Sequence, residues 1–136
     1  MIDFYLDERL SADSLPLCQT DMSLLRVSRD ARFPWLILIP QRDGLADLVD
    51  LSPDDESRVM ADIRAASLAL RQVTGCDKLN VASLGNMVRQ LHVHIIARFE
   101  GDPAWPGPIW GVGEAEPLDA LPDWAHTVRK SLGWSA

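Results

Sequence analysis

The sequence predicts an α+β domain, an antiparallel sheet packed against one long helix, and three stretches carry that prediction. "WLILIP" (Trp35–Pro40) is an unbroken apolar run of strand length, closed by proline. From Ser52 to Gly75, apolar residues recur at helical spacing between good capping residues. "QLHVHIIAR" (Gln90–Arg98) alternates polar and apolar side chains, as a strand with two unlike faces does.

The first segment, "FYLDERLSADSLPLCQT", has no clean period and reads as a short helical turn plus loop. Met22–Val27 reads as a strand. "SRDARFP" is a tight connection: Asp30 supplies turn chemistry and Pro34 disfavours helix at Phe33, so Met22–Val27 and Trp35–Pro40 pair as a hairpin. "QRDGLADLVDL" is a loop with a partly buried tip. The helix that follows has Ser52 as N-cap, Pro53 in its first position and Asp55 where a capping box has its acid. Val59, Ile63, Ala66, Leu70 and Val73 form its apolar stripe, and Gly75 closes it. Lys78–Leu84 is a strand, Gly85–Asn86 a turn, and Val88–Phe99 the next strand. A stretch rich in Pro and Gly follows, carrying Trp105, Trp110 and Trp124, too apolar for a plain linker. Trp105 and Trp110 are core or dimer-contact residues, or else a lid over the histidine face. "WAHTVRKSLGW" is a short amphipathic helix or an ordered tail. No repeat or boundary interrupts the chain, which reads as one domain over residues 1–136.

Composition narrows the functional classes. Hydrophobic residues are 47% and charged residues 24% of the 136, the balance of a soluble globular domain. The longest apolar run is strand-sized, so no membrane association is expected, and the acidic start does not resemble a secretory signal. A cytoplasmic setting fits Cys18 and Cys76, which lie far apart without CxxC pairing. A net charge of −7 argues against a nucleic-acid surface but leaves room for one small anionic ligand.

On the Gln90–Arg98 stretch, Gln90, His92, His94, Ile96 and Arg98 share one face; Leu91, Val93, Ile95 and Ala97 share the packed one. Three readings of the histidine face stand open. His92 and His94 are ordinary residues on a half-exposed surface. Or they bind a metal, although a zinc site needs a third protein ligand and no CxxC or HExxH accompanies them. Or they act at phosphorus, one neutral imidazole attacking while a cationic neighbour carries charge for the phosphate oxygens. Asn86 and Arg98 could then donate to the anion. His126, far along the chain, is taken as a surface histidine.

"GNMVRQLHVHII" (Gly85–Ile96) resembles the signature of the histidine-triad (HIT) family, three histidines alternating with apolar residues on a strand after a Gly-Gln turn. Asn86 stands for the glutamine, and Gln90, His92 and His94 occupy the triad positions. "FPWLILIP" is similar to an earlier strand of the family, and the likeness runs over roughly residues 20–100. It implies a HIT-like α+β fold, with a sheet of about five strands, one long helix and a short N-terminal helix. It implies a hydrolase or transferase acting at a nucleoside 5′-phosphate, on a phosphoramidate or dinucleoside polyphosphate, without cofactor or metal. His92 would be the nucleophile that forms a covalent nucleotidyl-histidine, and His94 would orient and neutralise the phosphate. Asn86 would touch phosphate or leaving group, and Ser28 or Asp30 would lie near the ribose. A purine nucleotide substrate and an edge-to-edge homodimer follow from the same likeness. Two residues depart from the pattern. Gln90 replaces the first histidine, keeping the backbone carbonyl expected to hold the nucleophile's second nitrogen, while its side chain would alter phosphate contacts or pH dependence. Trp35 stands where the family has Gly-His. These two residues favour the alternative, a nucleotide- or partner-binding module that kept the fold and lost turnover.

Overall fold

Five antiparallel strands among the described residues (4–136) of the computed structural model form one sheet. They are β1 (Ser14–Gln19), β2 (Ser23–Ser28), β3 (Trp35–Pro40), β4 (Lys78–Ala82) and β5 (Val93–Arg98), in the spatial order β1-β2-β3-β5-β4. Three helices accompany it: α1 (Glu8–Ala12), α2 (Pro53–Thr74) and α3 (Asp123–Leu132). The α+β class, the five-strand count, the long helix and the short N-terminal helix are as expected. No helix among these residues is long and apolar enough to cross a membrane.

The capping chemistry sets the long helix. The Ser52 side chain accepts from the Asp55 N–H, Pro53 occupies the first position, and Gly75 ends α2 with φ 64°. Its stripe of Val59, Ile63, Ala66 and Leu70 is buried and gains Ala69. The stripe packs on the sheet face made by Leu25, Val27, Leu36, Leu38, Val93, Ile95 and Ala97, and α3 adds Ala125 and Val128 to the same core. The opposite sheet face carries Ile37, Ile39, His94, Ile96 and Arg98, covered by Leu10 of α1 and by the segment after β5. Every residue of β5 is therefore buried, because both faces of this central strand are covered.

Two elements differ from expectation. β1 lies where the sequence suggested loop. Its Pro16 cannot donate to a ladder, but β1 is an edge strand with a register shift between Pro16 and Cys18, where proline is tolerated. β5 begins at Val93, five residues later than expected. Before it, the Leu91 N–H bonds the Leu45 carbonyl and the Gln90 carbonyl bonds the His92 ring, so this stretch spends its polar groups outside the ladder.

Arg98, at the end of β5, fastens the tryptophan-bearing segment to the sheet. It is 1% exposed; Nε and Nη2 donate to the Asp102 carboxylate, Nη1 to Asn80 Oδ1, and Nη2 also to the Gly107 carbonyl. The guanidinium also lies over the Phe33 and Trp105 rings. Hydrogen bonds from Arg98 hold the Asp102 carboxyl down to about 2. The sign follows: a depressed carboxyl stabilises the fold above its unfolded value, and this contribution is lost as pH falls toward 2. Asp102→Ala, which strands a buried guanidinium, should cost about 3–5 kcal/mol. The urea midpoint at pH 7 checks this, and the deficit should shrink as the pH is lowered through that window.

Candidate functional site

Register delivers the site. In the β3–β5 ladder Ile37 stands opposite His94 and Trp35 opposite Ile96. Trp35 is therefore the diagonal neighbour of His94 on the same face, within reach of a long aromatic side chain. The Trp35 indole N–H donates to His94 Nδ1 at 3.0 Å. His92, just before β5, has its Nδ1 2.6 Å from the Gln90 carbonyl oxygen. The two imidazole centroids are 5.0 Å apart and nearly perpendicular.

These partners have fixed polarity, so they decide the tautomers. A carbonyl only accepts, so His92 carries its proton on Nδ1 and keeps a lone pair on Nε2. An indole N–H only donates, so His94 Nδ1 is bare and its proton sits on Nε2. The reverse tautomer of His94 would set two N–H groups against each other. A buried donor without an acceptor costs about 1–3 kcal/mol, enough to make that form a minor one. Among the described residues neither Nε2 has a hydrogen-bond partner, and neither is sealed from solvent. One lone pair and one N–H thus face the same space.

That space is a cavity of about 420 Å³. Ile37, Leu10 and Val88 supply apolar wall; Ser28, Asn86 and Asp13 supply polar groups; Trp110 closes a further side. Gly85, at φ 73°, makes the bend that brings Asn86 to the rim. No Lys or Arg is among the lining residues, and Asp13 is their one acidic residue. Trp110 lies 5.1 Å from the His94 ring and 6.2 Å from Trp35, both edge-on. The segment after β5 therefore does two things: Trp105 packs over Arg98, and Trp110 walls the cavity.

The sequence matches the HIT domain family over residues 9–101. The chain belongs to the HIT domain family. Three solved histidine triad proteins share its fold over nearly their whole lengths. One from Sinorhizobium meliloti is 43% identical, with a TM-score of 0.87, covering 98% of this chain and 97% of its own. One from Bradyrhizobium japonicum is 40% identical at a TM-score of 0.92, with 95% and 98% covered. A third, from Marinobacter aquaeolei, is 38% identical at 0.85, with 95% and 93% covered. No curated relative matches the chain.

Of the residues singled out from the sequence, this HIT domain brings His92, His94, Asn86 and Ser28 to one cavity. Gln90 contributes its backbone carbonyl only. Its side chain turns away, donating to the Tyr5 carbonyl and accepting from the Asp7 N–H, and it does not line the cavity. Arg98 has its guanidinium spent on Asp102, Asn80 and Gly107 and does not line the cavity. Asp30 is paired with Arg32 and with the Glu116 N–H, which ties down the far end of the tryptophan segment. His126 is exposed, as expected. Leu10, Asp13 and Ile37 line the cavity without having been singled out for it, whereas Trp110 was one of the two tryptophans offered as a lid over the histidine face. Only strand register and chain fold-back bring them there, and neither is visible as a local motif. Among the described residues no three His, Cys, Asp or Glu side chains converge on a metal-sized site. Burial pushes the Cys18 thiol up to about 11, leaving it no thiolate at neutral pH.

The surroundings of His94 disfavour the cationic neighbour of the phosphorus reading. Burial, and then the nearby His92, lower His94 from 6.5 to about 4. A lowered histidine is neutral in the fold and charged in the unfolded chain between those values, so stability falls as pH drops from 6.5 toward 4. Proton NMR of the His94 ring should show no titration step between pH 8 and 5. The denaturation midpoint should fall over the acid window.

Proposed function

We propose that this HIT domain is a nucleotide hydrolase or nucleotidyltransferase in which the His92 Nε2 lone pair attacks the α-phosphorus of a nucleoside 5′-phosphate derivative. The single observation that carries the reading is the 2.6 Å contact between His92 Nδ1 and the Gln90 carbonyl. It holds the ring in the one neutral tautomer that keeps Nε2 free toward the cavity. Attack forms the Nε2–P bond and breaks the bond to the leaving group, which takes its proton from solvent. The positive charge that develops on the imidazole strengthens the Nδ1–H hydrogen bond to the carbonyl, so the contact stabilises the transition state more than the ground state. His94 Nε2–H donates to a non-bridging phosphate oxygen, with Asn86 and Ser28 as further donors. Water then cleaves the Nε2–P bond and releases the nucleotide.

The lining favours one of the two substrate classes. A dinucleoside polyphosphate brings several negative charges, and a cavity with no Lys or Arg among its lining residues and with Asp13 on its wall opposes them. A phosphoramidate brings one. The apolar wall of Leu10, Ile37 and Val88 suits a purine, and a cytoplasmic setting fits the free Cys18 and Cys76. A homodimer belongs to the same reading, formed along the edge strand β4, whose Val81 is exposed; light scattering at micromolar concentration checks it.

Steady-state release of AMP from adenosine 5′-phosphoramidate tests the function. Wild type should turn over, and His92→Ala should lose at least about a thousandfold in kcat/KM, the scale expected when a nucleophile is removed. Diadenosine polyphosphates should be the poorer substrates. AMP binding without turnover in the wild type would instead make the domain a binding module, as the turned-away Gln90 side chain and missing first histidine would allow.

A further inference from the structure

We infer that Trp35 is a positioning residue: its indole N–H fixes His94 as a neutral donor that presents Nε2–H to the cavity. The geometry is specific. Trp35 and His94 sit on adjacent strands, diagonal in register, with the indole nitrogen 3.0 Å from Nδ1 and the two ring planes 57° apart. Ile37, directly opposite His94, carries no polar group and cannot do the same. Trp110 touches the other side of the imidazole as an edge-on ring, and its packing restricts how far His94 can turn.

The consequence is a division of labour between two neighbouring imidazoles. The carbonyl of Gln90 makes His92 a nucleophile; the indole of Trp35 makes His94 a hydrogen-bond donor. Without the indole, His94 would be free to carry its proton on Nδ1 and offer a lone pair to a phosphate oxygen, a repulsive contact. His94 would also gain a proton more readily, since Nδ1 would no longer be occupied. The titratable groups around it are few. His92 faces it at 5.0 Å and Asp13 lies across the same cavity, while Trp35 from β3 and Trp110 from the later segment bring no charge.

The test uses full-length protein labelled with ring-15N histidine, as wild type, Trp35→Phe and Trp110→Phe. Two-bond proton–nitrogen correlations report which ring nitrogen carries the proton. In wild type, His94 should be the Nε2–H tautomer from pH 8 down to 5. Trp35→Phe should show mixed tautomers and begin to protonate at higher pH, while Trp110→Phe, which removes no donor from Nδ1, should keep the wild-type tautomer. The kinetic arm rests on the hydrolase reading: Trp35→Phe should lower kcat about tenfold with KM changed less than about twofold, the size of one lost hydrogen bond. An Nδ1–H signal for His94 in wild type, or an unchanged tautomer in folded Trp35→Phe, would overturn the inference. The spectra need no turnover. A wild type that fails to hydrolyse therefore sinks the hydrolase reading while the spectra still decide the role of Trp35. If Trp35→Phe does not fold, the wild-type spectrum decides alone.

Discussion

Two hydrogen bonds to imidazole nitrogens, one running to a carbonyl and one coming from an indole, set what this site can do. Each histidine on or beside β5 is buried, and each has a single Nδ1 partner whose polarity cannot change. Burial matters because it removes the alternative: in water an imidazole exchanges tautomers freely, whereas here the wrong one strands a donor. The fold holds those partners in place. Central position in the sheet covers β5 on both faces, α2 packs on one, and α1 with the tryptophan segment closes the other.

The tryptophan segment is held at both ends by buried ionic contacts rather than by regular structure. Arg98 and Asp102 fasten its start, and Asp30 and Arg32 fasten its later part through the Glu116 N–H and the Val112 carbonyl. Between these anchors Trp110 is set against His94 and Trp35. Arg98, expected to donate to an anion, instead anchors the segment whose Trp110 walls the cavity. That trade leaves a cavity without cationic side chains among its lining residues, in which hydrogen-bond donors and an apolar wall must do the recognising.

What was legible in the sequence were features with a local cause. Ser52, Pro53 and Gly75 announced α2, and "WLILIP" announced β3 to the residue. The His92 and His94 pair and the Gly85–Asn86 bend marked the site, and the HIT resemblance supplied the five-strand count. Features set by neighbours distant in sequence were not legible. Pro16 hid β1 because its edge position is a property of the whole sheet. Arg98 shares a face with the histidines, yet its partners Asp102, Asn80 and Gly107 draw it away from the cavity. Gln90 is turned outward by Tyr5 and Asp7, eighty-odd residues earlier in the chain. Trp35 stood out as a departure from the family pattern, but its donation to His94 depends on a register no local motif records.

The claim that the chemistry rests on the His92 Nε2 lone pair is tested most directly by trapping the intermediate. The protein would be mixed with adenosine 5′-phosphoramidate, quenched within milliseconds in alkaline denaturant, which preserves a phosphorus–nitrogen bond, and weighed intact before peptide mapping. The account predicts one added adenylyl group per chain, located on the peptide that carries His92 and absent from His92→Ala. An adduct on His94 or elsewhere, or AMP released at the wild-type rate by His92→Ala, would contradict it.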